Sequence, residues 1–140
     1  MQLNKTTSLI ITAILGFLYL YVAVVMMWGF IVVNHPFMDW LLENYAGTSW
    51  FRSAIFVQDF IINIVFAAPL AFFIYSLHPK SYVSHAAAAI LPGFVWAQSN
   101  WLLSPDFSQV WQNVFVSWVY NLACLPIALA VVIWIGRKRA

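Results

Sequence analysis

The stretch SAIFVQDFIINIVFAAPLAFFIYSL, residues 53–77, decides the fold of this chain. It is long and apolar enough to cross a bilayer as a helix, which takes about 20 residues, and yet it contains Asp59. A charged side chain near the bilayer core costs about 3 kcal/mol or more, so an acid there usually faces the protein interior and marks a candidate functional site. In helical spacing, the stripe that carries Asp59 also carries Arg52, Phe56, Asn63, Phe66 and Leu70. We expect this stripe to face inward.

The composition is that of an integral membrane protein. Of the 140 residues, 64% are hydrophobic and only 7% are charged, with a mean hydropathy of +0.88, whereas soluble domains carry about 25% charged residues. The soluble segments are too short to form a core of their own, so we expect one transmembrane domain over residues 1–140. The formal charge of +2 forms no basic stripe, which argues against a nucleic-acid partner. The partner indicated by the composition is the lipid bilayer.

The hydrophobic runs predict an all-α protein with four transmembrane helices. The spans cover about residues 8–33, 53–77, 83–103 and 113–135. The first is longer than the apolar region of a signal peptide, about 7–15 residues, and so is expected to remain as a helix. It has no strongly polar residue at the depth of Asp59, so we expect it to be more peripheral than the others. In the third span, Ala89 and Gly93 form a small-xxx-small pair that allows a neighbouring helix to approach closely.

A short interfacial helix is predicted in the first outer loop. Residues 34–52, NHPFMDWLLENYAGTSWFR, are too polar to span the membrane. Pro36 suits the first turn of a helix and Gly47 its end. Apolar side chains gather on one face and acids on the other, namely Phe37, Trp40, Leu41 and Tyr45 against Asp39 and Glu43. This pattern is typical of a helix that lies along the membrane interface.

The distribution of basic residues predicts the orientation. Four spans place both termini on one side, and that side collects Lys5, Lys80, Arg137, Lys138 and Arg139, whereas the other side has only Arg52. Cytoplasmic loops carry the excess of Lys and Arg, so both termini are expected to be cytoplasmic. The arrangement suits a bacterial inner membrane.

Polar residues from three spans are expected at one depth in the outer half of the membrane. Asp59 follows Arg52 by seven residues, which is about 10 Å along a helix axis. The candidate binding cluster comprises Arg52, Asp59, Asn63, Gln98, Asn100, Ser117, Tyr120 and Asn121. Two interpretations remain open: a hydrogen-bonded network that holds the bundle together, or an outward-facing vestibule in which Asp59 binds a cation, a proton or a polar headgroup.

No sequence pattern points to a cofactor, a metal site or a catalytic residue. His35, His78 and His85 are all expected at membrane boundaries, so no pair lies at a common depth within the membrane to ligate haem. The single cysteine, Cys124, excludes an intramolecular disulfide and a cysteine-rich metal site. No Ser-His-Asp set, HExxH, P-loop or dinucleotide motif occurs. We therefore expect no cofactor and no bound metal.

Three functions fit these patterns. The leading hypothesis is a small membrane protein that acts by helix association, as a homo-oligomer or as a subunit of a larger membrane complex. The alternative is a small transporter or channel in which Asp59 carries the coupling charge. The third and least favoured is a membrane enzyme that uses Asp59 as a general acid or base on a lipid-like substrate, because Asp59 has no evident catalytic partner.

Overall fold

The computed structural model describes residues 4–24, 26–27, 29–30, 36–103 and 107–139. Within these ranges the chain is helical and contains no strand. The helices are α1 (Lys5–Phe17), α2 (Pro36–Tyr45), α3 (Ser49–Leu77), α4 (Tyr82–Leu102) and α5 (Phe107–Arg139), and a π-helical turn, Leu18–Ala23, follows α1. The all-α prediction is confirmed.

Three described segments are long and apolar enough to cross a membrane, namely Lys5–Ala23, Ser49–Leu77 and Phe115–Lys138. They correspond to the first, second and fourth predicted spans and indicate a membrane protein. The third predicted span is also a helix, α4, but it is not among these three. Its hydropathy is lower because His85 and the polar run at residues 98–100 lie within it.

The π-helical turn makes the first membrane helix locally wider than an α-helix. The backbone N–H of Val24 donates to the carbonyl of Tyr19, five residues earlier. A π-turn of this kind accommodates one extra residue within an otherwise α-helical path. The described residues beyond it, as far as Phe30, return to α-helix. Residues after the turn are therefore offset by one residue, or about 100°, from the positions that an uninterrupted α-helix would give them.

The first helix packs closely against α4. A Cβ added to Gly16 would lie 2.5 Å from the Cα of Ala89, and one added to Gly93 would overlap the ring of Tyr21. Only glycine, which has no Cβ, allows the backbones of the two helices to approach so closely. The close approach expected at Ala89 and Gly93 is confirmed, whereas the first helix is not peripheral on this side, because its neighbour along the seam is α4.

The core contains many alanines, which let the backbones of α3, α4 and α5 come close together. Its buried members are Ala67, Ala71, Ile74, Ala86, Ala89, Ile90, Leu125, Ala128 and Leu129. α3 packs most extensively on α5, and α4 packs on both α1 and α5. Ser8 of α1 contacts His85 of α4, and Gly16, further along α1, contacts Ala89, further along α4. The two helices therefore run parallel.

α2 forms the helix predicted for the loop after the first span. It begins at Pro36 and ends at Tyr45, and Gly47 adopts a φ of 83° in the following turn. Leu41 anchors it against the rest of the protein with an exposed fraction of 2%. The predicted helix and its glycine stop are confirmed, and the side chain of Phe37 lies outside the described part.

Candidate functional site

A continuous chain of polar side chains links the first helix, α4 and α5. Tyr21 donates its hydroxyl proton to Oδ1 of Asn121. Asn121 Nδ2 donates to the backbone carbonyl of Ser117 at 2.7 Å and to its hydroxyl at 3.0 Å. Ser117 Oγ also accepts from Gln98 Nε2 at 3.5 Å, and Gln98 Oε1 accepts from the indole of Trp118 at 2.6 Å. These bonds join three helices within an apolar bundle.

A small cavity lies next to this chain. It measures about 190 Å³, and its polar lining comes from Asn63, Tyr120, Asn121 and Tyr21. Tyr120 donates its hydroxyl proton to the carbonyl of Phe56 at 3.1 Å, and Asn63 Nδ2 donates to the carbonyl of Asp59 at 2.8 Å. Asp59 lies one helical turn before Asn63 on α3. The cavity therefore combines hydrogen-bonding groups with a nearby acid.

The structure brings most of the predicted cluster together, with two exceptions. Asn63, Tyr120 and Asn121 line the cavity, whereas Ser117 and Gln98 extend the network beside it. Arg52 is exposed and lines a separate surface depression with Gly47 and Thr48. The side chain of Asn100 lies outside the described part. Arg52 is thus not a lining residue of the polar cavity.

Two members of the network were missed from the sequence, Tyr21 and Trp118. The run that begins at Tyr21, YVAVVMMWGFIVV, is uniformly apolar and predicts a surface that faces lipid or neighbouring apolar helices. The π-helical turn redirects this part of the helix, and Gly93 provides the space that the Tyr21 ring occupies. Neither of these effects can be predicted from side-chain spacing at the regular α-helical period. Tyr21 OH and Asn121 are 100 residues apart in the chain, and no local signal pairs them.

A second polar cluster lies at the opposite end of the bundle. The hydroxyl of Ser8 on α1 lies 3.1 Å from Nε2 of His85 and 3.3 Å from Nε2 of His78. Nδ1 of His85 lies 2.9 Å from the carbonyl oxygen of Ser81. The imidazoles of His78 and His85 stack on each other. The expectation that these histidines lie at one membrane boundary did not foresee that they form a pair.

The hydrogen-bond partners decide the tautomers of this cluster. The carbonyl of Ser81 can only accept, so Nδ1 of His85 carries the proton and Nε2 accepts from Ser8. The Ser8 oxygen in turn accepts from Nε2–H of His78. In this arrangement both imidazoles are neutral, and each of them bonds to Ser8. These hydrogen bonds connect the start of α1 to the turn between α3 and α4.

The surroundings of His78 favour its neutral form. Burial lowers the pKa of His78, and the neighbouring His85 lowers it further. His85 itself is only 2% exposed. The described acids, Asp39, Glu43 and Asp59, lie on α2 and in the first half of α3. None of these described carboxylates is adjacent to the cluster, so none of them offsets an added proton there.

The described residues contain no group of three or more His, Cys, Asp or Glu side chains that could hold a metal ion. The arrangement of the polar network suits hydrogen bonding to a small polar species. No family model matches the chain, and comparisons with curated proteins and with solved structures find no match.

Proposed function

We propose that this chain is a four-span protein of a bacterial-type inner membrane that acts by helix association, with both termini on the cytoplasmic side. α4 would be the remaining span, the third in chain order, because its 21 residues extend over about 32 Å and it packs between α1 and α5. The excess of basic residues near the termini and the α3–α4 turn supports the orientation. α2, with Leu41 inward and Asp39 outward, would lie along the outer interface.

The observation that carries the association hypothesis is an apolar groove on the outer surface of α4 and α5. It has a volume of about 560 Å³, and small residues, Ala87 and Ala130, lie on its two sides. Leu91, 61% exposed, and Pro126 also line it. Because small residues let helix backbones approach closely in membranes, the groove suits a further transmembrane helix. That helix would come from a second copy of this chain or from another membrane protein.

Native mass spectrometry of the purified chain in mild detergent tests the hypothesis. Ala87→Trp fills the groove and should shift assemblies to monomers, or release a co-purifying subunit. Val65→Trp is the matched control, because Val65 is 61% exposed on α3 and lies outside the groove. A wild-type chain that is monomeric and free of co-purifying protein, with Ala87→Trp unchanged, would contradict association.

A second candidate, transport of a cation or proton, is favoured by the polar cavity near Asp59. A space of about 190 Å³ lined by Asn63, Tyr120 and Asn121 suits a small hydrated species. Intramembrane acids commonly mark such pathways. Ion and proton flux into proteoliposomes discriminates the two candidates, because association alone predicts no flux above that of protein-free vesicles.

A further inference from the structure

A cavity of about 870 Å³ lies between α2 and α3, away from both the polar network and the groove on α4 and α5. Its floor is an apolar stripe of α3 that includes Val57 and Ile61, and Leu41 of α2 covers one side. Trp40 and Trp50 form its rim. Tryptophan is enriched where proteins cross the membrane–water boundary, so this rim suits the headgroup level.

Gln58 lies in the middle of the apolar stripe and lines the cavity. Within the described part of the chain, both its Oε1 and its Nε2 are buried and have no hydrogen-bond partner. An amide group can donate two hydrogen bonds and accept two. Leaving these groups unpaired in an apolar region is costly. The side chain is therefore suited to a partner from outside the protein.

The position of Gln58 indicates what kind of partner it could meet. Gln58 follows Ser49, the first residue of α3, by about 13 Å along the helix axis. That depth is just below the aromatic rim, where the ester groups of lipids meet their acyl chains. None of the described residues that line the cavity is charged, so the site suits an uncharged polar group attached to a long apolar chain.

We propose that this cavity binds a glycerolipid of the surrounding bilayer, with its acyl chain along Val57 and Ile61 and its ester region at Gln58. After the side chain rotates toward the cavity, Nε2–H donates to the ester carbonyl, and in a mono- or diacylglycerol Oε1 accepts from the free glycerol hydroxyl. The acyl chain supplies the apolar burial, and the amide selects the position of the carbonyl. This site is independent of the association groove and of the cavity near Asp59.

Thermal unfolding of the full chain at constant detergent concentration tests the proposal. The probes are monooleoylglycerol, which has a carbonyl and hydroxyls, methyl oleate, which has only the carbonyl, and 1-octadecene, which has neither. Wild type should show the largest increase in Tm with monooleoylglycerol and the smallest with 1-octadecene. Gln58→Leu should lose this order and respond to all three as wild type responds to 1-octadecene.

Two further variants keep the test decisive if Gln58→Leu alone is ambiguous. Val57→Trp fills the cavity without removing the amide, and it should abolish the increase in Tm for every probe. Val65→Trp makes the same change on a surface outside the cavity and should keep the wild-type response. Without added lipid, Gln58→Leu should be at least as stable as wild type, because it removes an unpaired amide. Equal responses of wild type and Gln58→Leu to monooleoylglycerol would overturn the proposal.

Discussion

The imidazole rings of His78 and His85 stack with their centroids 3.7 Å apart and their planes within 9° of parallel. At about 4 Å, two positive charges repel by ~1 kcal/mol even in water and by more in a less polar setting. The basic residues of the adjoining segments, Lys5 and Lys80, add to the positive charge at this end. Uptake of a proton by His78 is therefore unfavourable while Ser8 bridges both rings.

Stability should therefore depend on pH through this pair. Because the pKa of His78 is lowered in the folded protein, its contribution is fully present above the ordinary histidine pKa of about 6.5. It is lost as the pH falls through the lowered value, since the unfolded state then binds the proton more strongly. Thermal unfolding measured from pH 8 to pH 5 should show a falling Tm.

His78→Gln is the variant that isolates this effect. Gln retains an N–H that can donate to Ser8 but cannot take up a proton. We expect it to have a shallower dependence of Tm on pH than wild type and to be the more stable of the two at pH 5. Parallel Tm curves for the two proteins would show that the pair does not control the acid response.

Removing the Tyr21 hydroxyl should weaken the bundle without changing its shape. Tyr21→Phe keeps the ring that packs over Gly93 but removes the donor to Asn121. The expected loss is about 0.6–2 kcal/mol, the range for hydrogen bonds between membrane helices. Tyr45→Phe, at an exposed position on α2, serves as the control and should be neutral in the same unfolding assay.

The close approach of the first helix to α4 gives a prediction that depends on a single methyl group. Gly93→Ala should destabilise the protein by about 1–3 kcal/mol, because the added Cβ overlaps the Tyr21 ring. Gly29→Ala adds the same group where nothing lies within 4 Å, and it should not destabilise. Unfolding in detergent compares the two directly, and similar losses would argue against the seam.

Substitutions of Asp59 distinguish a structural role of this side chain from a functional one. Asp59→Asn keeps the size and much of the hydrogen-bonding capacity of the side chain. If the charge is used, this variant should fold and associate normally, while the flux of cations or protons is lost. Asp59→Leu should reduce both stability and flux. Full flux in the Asn variant would end the proposed coupling role of Asp59.

The only cysteine offers an internal reporter of unfolding. Cys124 is 6% exposed within the described packing of α5. A maleimide should label it slowly in the native protein and rapidly once the bundle opens. Labelling that is equally fast before and after heating would show that α5 is not packed at this position.

The positions of the helices can be predicted well from the sequence, but the contacts between helices can be predicted only poorly. Apolar length identifies three of the four predicted spans, and Pro36 and Gly47 delimit α2, because these signals are local. Asn63, Tyr120 and Asn121 were placed together correctly because helical rise alone brings them to one depth. Arg52 shares the Asp59 stripe and yet turns to the surface. Helical spacing could not reveal this, because a long side chain near a helix end can reach water.

The remaining failures arise from contacts between distant segments. Ser8 meets His78 and His85 across about half the chain, and nothing in their local sequence marks the meeting. Gln58 does not stand out in the sequence, because a single amide in an apolar run resembles an ordinary polar interruption of a hydrophobic helix. It becomes informative only when both of its polar atoms are seen to be buried and unpaired.

The π-helical turn at Leu18–Ala23 sets which side chains of the first helix can work together. One extra residue rotates the following segment by about 100° relative to a regular α-helix. Gly16, before the turn, faces Ala89, and Tyr21, within it, reaches both Gly93 and Asn121. In an uninterrupted α-helix, Gly16 and Tyr21 would point about 140° apart, and Tyr21 would turn away from α4. The extra residue therefore places Gly16 and Tyr21, five positions apart, on one side of the first helix, where both face α4.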